Sequence, residues 1–140
     1  MPSQFRDICL AGPKSDFSNG PGQRFTVGED CLFANIFAPS NATAESRLPV
    51  MYFIQGGGFN SNSNADFNCS DIANFGNIVV VQINYRVGPL GFLHSREVVL
   101  DGSMNNGLKD MIQGLKWTKQ HISAVCREFE LLVTGSTRRG

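Results

Sequence analysis

The sequence predicts an α/β fold on three observations. Short apolar segments with the features of β-strands come first, the most apolar of them lies past the middle of the chain, and an amphipathic helical segment follows it. That central segment, Ile78–Asn84, is apolar and β-branched almost throughout, which is typical of a parallel strand buried on both faces. Strands followed by a helix in this way indicate a mixed, mostly parallel sheet with helices packed against it.

The elements before the central strand are shorter. Residues 1–27 contain glycines and prolines without a clear period, so we expect irregular structure there. Leu32–Phe37 alternates imperfectly between apolar and polar residues and is expected to be a strand. Pro39–Thr43 has the composition of a surface connection. Val50–Gln55 is the next predicted strand.

A long helix is predicted after the central strand. From Asn106 to Ile122 the apolar side chains recur mostly at the i, i+3, i+4 and i+7 spacing of an amphipathic helix, at Leu108, Met111, Ile112, Leu115 and Ile122. Glu130–Thr134 is a candidate short strand beyond it.

Composition narrows the class of protein. The 140 residues are 41% hydrophobic and carry no formal net charge, which suits one small globular domain or part of a larger one. The chain has no surplus of positive charge that would attract a polyanion, so we expect no nucleic-acid partner. No apolar run reaches the roughly 18 residues of a membrane span. Residues 1–7 are polar, so no signal peptide is predicted in this chain.

Three consecutive glycines, Gly56–Gly58, directly follow the strand Val50–Gln55. Glycine has no Cβ, so the backbone can turn sharply there and expose its N–H groups. Several N–H groups aimed at one point bind an anion, and at the end of a strand they suit the oxyanion that forms when an ester carbonyl is attacked. The alternative for an isolated triplet is a flexible turn.

Four further segments resemble the type B carboxylesterases and lipases, in family order and spacing. Gly28–Ile36 is similar to the family's S-E-D-C-L-x-L-N-[VI], and Asn84–Leu93 to N-Y-R-x-G-x-x-G-F. Asn106–Asp110 and Leu115–Trp117 resemble N-x-G-L-x-D-Q and A-L-x-W-V. The best match within the family is to secreted fungal esterases and lipases, which implies an extracellular protein.

The resemblance covers residues 28–123 and implies a partial carboxylesterase domain with an incomplete α/β-hydrolase fold. Residues 1–27 precede it as an irregular segment, and residues 124–140 form a divergent tail. We expect a shifted or mis-spliced reading frame beyond Ala124 and a start placed too late.

The implied activity is hydrolysis of a small-molecule or lipid ester in the full-length relative, with Gly57 and Gly58 as oxyanion donors and no cofactor or metal. Such enzymes need Ser, an acid and His in that order, with Ser in G-x-S-x-G. The chain contains no G-x-S-x-G. Ser136 lies near the expected place, but bulky residues follow it. His94 and His121 are expected at the surface.

We therefore expect no catalytic residue here and a fragment of a serine ester hydrolase that is inactive alone. Two alternatives remain open at this point. One is a non-catalytic interaction protein, as the family includes adhesion members without the serine. The other is an independent α/β module that holds a small anion with Gly57 and Gly58.

The resemblance also assigns structural roles. It implies an ion pair between Arg86 and Asp110 and a disulfide between Cys9 and Cys31. The family pairs the residue equivalent to Glu29 with an upstream arginine segment, which this sequence lacks. Trp117 is expected to anchor the core.

Two N-x-S/T triplets are glycosylation candidates, at Asn41 and Asn68. They support a secreted protein only together with the family resemblance. No cysteine pair has the C-x-x-C spacing of zinc or thioredoxin-like sites.

Overall fold

The computed structural model of the protein describes residues 7–10, 27–43, 45–60, 67–124 and 131–135. Ser136 and most of the predicted tail lie outside these residues.

Two short strands come first, β1 (Ile8–Cys9) and β2 (Val27–Gly28), and they pair in parallel. The expectation of irregular structure throughout residues 1–27 is therefore wrong at these positions. A two-residue strand is too short to produce a periodic pattern and so could not be predicted from the sequence. The predicted disulfide between Cys9 and Cys31 is confirmed and fastens β1 to the residues after β2.

A four-stranded sheet forms the centre of the molecule. Its strands are β3 (Ala34–Phe37), β4 (Val50–Ile54), β5 (Val79–Ile83) and β6 (Leu131–Gly135), in the order β3-β5-β4-β6. β3 is antiparallel to β5, whereas β5, β4 and β6 run parallel. All four predicted strands are confirmed, with ends that differ by one or two residues.

Four helices connect or cover these strands. They are α1 (Ser70–Gly76), α2 (Gly88–Phe92), α3 (Arg96–Asp101) and α4 (Asn106–His121), and a 3₁₀ turn at Ile122–Ala124 extends α4. The long predicted helix is confirmed as α4. The three short helices were not predicted, because five to seven residues are too few to establish a helical period.

Both faces of the sheet are covered. One face packs against α4 through Val50, Tyr52, Val79, Val81, Ile83 and Met111. The other packs against α1 through Phe37, Cys69, Ala73 and Val80. Every side chain of β5 is buried, as predicted from its continuous apolar character. The Tyr52 hydroxyl donates to the Met111 carbonyl at 2.8 Å and ties α4 to the sheet.

One side chain, Trp117, departs from its expected environment. Trp117 is 41% exposed and is not a core anchor; on α4 it stacks on His121, with ring centroids 4.9 Å apart. The buried face of α4 is formed instead by smaller side chains, including Met111 and Thr118. The Glu29 carboxylate is exposed, so it is not a buried charge.

Candidate functional site

The glycine triplet forms a tight turn at the carboxyl end of β4. Gly57 has φ 128°, and Gly58 and Phe59 have φ 60° and 63°. The Asn60 N–H donates to the Gly57 carbonyl at 3.1 Å and closes the turn. Positive φ at both central residues is typical of a type I′ turn, which strongly favours glycine or asparagine. Gly58 meets this demand, whereas a phenylalanine at positive φ is strained.

One hydrogen bond holds the backbone immediately before the turn. The Tyr85 hydroxyl donates to the Gln55 carbonyl at 2.9 Å, and both residues are buried. Burial raises the pKa of Tyr85, so the phenol stays protonated and remains a donor.

A second hydrogen bond holds the backbone at the end of the turn. The Gly88 N–H, at the start of α2, donates to the Phe59 carbonyl at 2.6 Å. Gly88 itself has φ 56°. The Phe59 ring packs on Phe92 of the same helix, with centroids 5.0 Å apart. The strained residue is therefore fixed through both its carbonyl and its ring.

Arg86 lies between these two anchors and binds Asp110 of α4. Its Nε and Nη2 atoms donate to Oδ2 and Oδ1, each at 2.7 Å, and its backbone N–H donates to Oδ2 at 3.1 Å. The hydrogen bonds that Arg86 donates to the Asp110 carboxylate are the main cause that raises the pKa of Arg86. Every carboxylate oxygen of Asp110 is engaged by this residue, which is a structural arrangement rather than a catalytic one.

Two glycines let the chain pack closely around Arg86. A Cβ added at Gly91 of α2 or at Gly107 of α4 would overlap the Arg86 carbonyl, and at Gly107 it would also meet the Phe92 ring. The glycines of G-x-x-G-F and N-x-G-L are thus explained by this close approach.

The two histidines that were expected at the surface are exposed. His94 is in the loop between α2 and α3. His121 ends α4, and its ring Nδ1 is 2.8 Å from the Trp117 carbonyl oxygen. In the part of the chain that the structure describes, no three His, Cys, Asp or Glu side chains group as a metal site requires.

β6 lies beside β4, and its last residue, Gly135, pairs with Ile54 directly before the turn. The chain therefore leaves β6 at the same edge of the sheet as the glycine turn. A separate groove of about 310 Å³ lies between β3 and α4, lined by Leu32, Ile83 and Trp117 among others, and no residue of the glycine turn lines it.

A glycine turn at the carboxyl edge of parallel strands, in a mostly parallel sheet covered by helices, fits an α/β-hydrolase fold. The sequence profile of the carboxylesterase family matches residues 3–125. The chain belongs to the carboxylesterase family.

Relatives of known sequence support this assignment. Secreted lipase 1 of Botryotinia fuckeliana is 44% identical over 107 residues, which are 73% of this chain and 19% of that lipase. The para-nitrobenzyl esterase of Bacillus subtilis is 43% identical over 98 residues, 69% of this chain and 20% of that enzyme. The chain spans about a fifth of the length of the curated relatives it matches.

Solved structures of esterases superimpose on this chain. Aspergillus niger EstA superimposes with a TM-score of 0.77 at 40% identity, covering 94% of this chain and 25% of EstA. A thermophilic para-nitrobenzyl esterase gives a TM-score of 0.80 at 34% identity, covering 94% of this chain and 27% of the esterase. The partial α/β-hydrolase fold predicted from the sequence is therefore confirmed. No helix among the described residues combines the length and apolarity of a membrane span.

Proposed function

We propose that this chain contributes the oxyanion-binding turn of a serine carboxylic-ester hydrolase, with Gly57 and Gly58 as the donors. The observation that carries the proposal is the backbone of the turn: both glycines have positive φ and stand where β4 ends. Donors held rigidly at that edge stabilise the charge that develops on the carbonyl oxygen of an ester, whether the substrate is a small molecule or a lipid.

The 140 residues contain no G-x-S-x-G segment. We infer that the purified chain does not hydrolyse p-nitrophenyl esters above background, because loss of a triad member leaves only residual catalysis. A burst of one acyl group per chain would overturn this inference. In that case Ser136→Ala would show whether Ser136 is the nucleophile.

The donor role is tested in a chimera in which residues 7–124 replace the matched segment of Aspergillus niger EstA. Gly58→Val should lower kcat about 10²–10³-fold, the effect of losing one oxyanion donor. Gly76→Val is the matched control: Gly76 ends α1, away from the turn, and a Cβ there meets only Ile78 at 3.5 Å or more. Equal turnover by a folded Gly58→Val chimera and its parent would exclude the role.

We also propose that the protein is extracellular and carries an N-linked glycan at Asn41. The disulfide supports an oxidising compartment. Asn41 is exposed in a turn closed by the Ala42 N–H and the Pro39 carbonyl, 3.0 Å apart. This turn lies between the end of β3 and the start of β4, at the edge of the sheet opposite the glycine turn. A glycan there leaves the site open.

Asn68 is less suited to modification. Cys69, the middle residue of its triplet, is buried against the sheet, and the Asn68 Oδ1 accepts from the Ser70 N–H at 3.0 Å at the start of α1. With a cleavable secretion leader in yeast, we expect one endoglycosidase-sensitive increment in mass that Asn41→Gln abolishes and Asn68→Gln retains. The opposite pattern, or no increment in secreted protein, would refute the assignment.

A further inference from the structure

One short segment, Asn84–Gly88, makes a hydrogen bond on each side of the glycine turn. Tyr85 donates to the Gln55 carbonyl before the turn, and the Gly88 N–H donates to the Phe59 carbonyl after it. We propose that this segment is a positioning clamp that sets the direction of the Gly57 and Gly58 N–H groups, with Tyr85 as its principal side chain. This inference rests on the proposed function of the turn.

The turn requires such a clamp because its conformation is unfavourable on its own. Phe59 has φ 63°, and backbone strain of this kind persists only where the surrounding structure over-determines it. The Phe59 ring is mostly exposed, so burial of the side chain does not hold it. The Gly88 hydrogen bond and the contact with Phe92 are the constraints that the described residues supply.

The clamp is itself anchored to the helix layer. Arg86 lies between Tyr85 and Gly88 and is bound at its side chain and its backbone N–H by Asp110 of α4. Tyr85 is buried in the cluster that also includes Met111 of α4. The clamp is therefore fixed to α4 on one side and hydrogen-bonded to the turn on the other. A rigid support is what a site needs if donors must keep their geometry without the substrate.

The structure offers a matched pair of tyrosines for the test. Tyr52 is also buried, and its hydroxyl donates to a backbone carbonyl at 2.8 Å, but that carbonyl belongs to Met111 of α4 and not to the turn. Tyr85→Phe and Tyr52→Phe each remove one buried hydroxyl–carbonyl hydrogen bond. If the Tyr85 hydroxyl only stabilised the fold, Tyr85→Phe and Tyr52→Phe would have the same effect on amide exchange at the turn.

Amide hydrogen exchange of the full chain distinguishes these possibilities at a dilution where it is monomeric. We expect Tyr85→Phe to speed exchange of the Asn60 N–H, which closes the turn, and of the Gly88 N–H, by about three- to tenfold relative to Val81, which corresponds to the loss of one net hydrogen bond. Tyr52→Phe should leave that ratio at its wild-type value. Phe92→Leu, which weakens the ring contact at the other anchor, should raise exchange of the Gly88 N–H, which donates to the Phe59 carbonyl.

Unchanged exchange at the turn in Tyr85→Phe, or equal acceleration at the turn in both tyrosine variants, would overturn the clamp. If Tyr85→Phe fails to fold, exchange of the Gly88 N–H in Phe92→Leu tests the other anchor, and an unchanged rate there would overturn the clamp. The measurement needs no turnover, so a clamp that is present while Gly58→Val leaves the chimera active would refute the proposed function and not the clamp.

Discussion

At the scale of the residue, the Asp110 carboxylate depends on Arg86 for hydrogen bonds to both of its oxygens. Its side chain is only 6% exposed, whereas that of Arg86 is 37% exposed. The carboxylate is thus buried, and its two oxygens accept three donors from a residue that still reaches solvent. Loss of the guanidinium would leave a buried charge with one backbone donor, which is far less favourable than loss of an exposed ion pair.

We predict that Arg86→Met lowers the free energy of unfolding by about 2–3 kcal/mol, below the value for a fully buried pair because the guanidinium is partly exposed. Urea unfolding followed by circular dichroism measures this. Arg86→Lys should recover only part of the loss, since an ammonium cannot make the bidentate contact. A midpoint for Arg86→Met equal to that of the wild type would contradict the prediction.

Three buried groups that lose a proton at high pH, one thiol and two phenols, make the free energy of unfolding depend on pH. Burial raises the pKa of Cys69, Tyr52 and Tyr85, so the folded chain keeps protons that the unfolded chain releases. The unfolded state then binds fewer protons, and stability falls as pH rises above the ordinary thiol and phenol values of about 8.5 and 10.

We predict that the urea midpoint of a Cys69→Ala/Cys126→Ala variant declines as the pH rises from about 9 to about 11, the interval that contains the ordinary phenol value. The two substitutions prevent thiol exchange with the disulfide and remove the thiol contribution, so the decline reports the buried tyrosines. Adding Tyr52→Phe should flatten the decline. A midpoint that is constant or rises over this interval would show that the phenols are not buried in solution.

The residues that form the site were only partly predictable. Gly57 and Gly58 could be identified because consecutive glycines form a visible pattern. The contributions of Tyr85 and Phe59 could not, because their partners are backbone carbonyl groups, and every residue has one. A pattern of side chains carries no information about which carbonyl a hydroxyl will reach.

At the scale of the element, close packing at Arg86 fixes α2 and α4 against the end of β5. We predict that Gly91→Ala or Gly107→Ala lowers the free energy of unfolding by about 1–3 kcal/mol or more, because the new methyl group overlaps a backbone oxygen that cannot move aside.

Gly76→Ala is the control for both variants. It ends α1 without a positive φ, and its Cβ would lie 3.5 Å from Ile78, so it should be neutral or stabilising by up to about 1 kcal/mol. Thermal unfolding of the three variants side by side provides the comparison. Equal stability of Gly91→Ala and Gly76→Ala would rule out the steric explanation.

The longer helices and strands could be predicted from the sequence, whereas the short helices could not. The strands β4 and β5 and the helix α4 have enough residues to show a period or a continuous apolar run. α2 and α3 do not, and their starts depend on local chemistry: Pro89 in the first turn of α2, and the Ser95 hydroxyl that accepts from the Val98 N–H in α3. Capping signals of this kind are common outside helices and predict little alone.

At the scale of the whole molecule, large apolar side chains face solvent on the helices. Phe75 of α1 is 91% exposed and Leu100 of α3 is 71% exposed. Among the described strands, β3 and β6 each have one edge without a neighbour. Exposed strand edges and apolar side chains together favour pairing between molecules.

We predict that the chain associates as its concentration rises, and that the double variant Phe75→Lys/Leu100→Lys weakens this association at least several-fold. Sedimentation velocity over a dilution series measures it. The matched control is Lys119→Arg, which changes an exposed side chain of α4 without changing its charge. Wild-type protein that stays monomeric at every concentration would contradict the prediction.

The segment Asn84–Gly88 makes a hydrogen bond on each side of the glycine turn. This has a consequence for where the sequences of carboxylesterases can vary in length. The connection between Asn60 and α1 supplies neither of these two hydrogen bonds. We therefore expect changes of length at that connection to alter access to the turn more than they alter its backbone conformation.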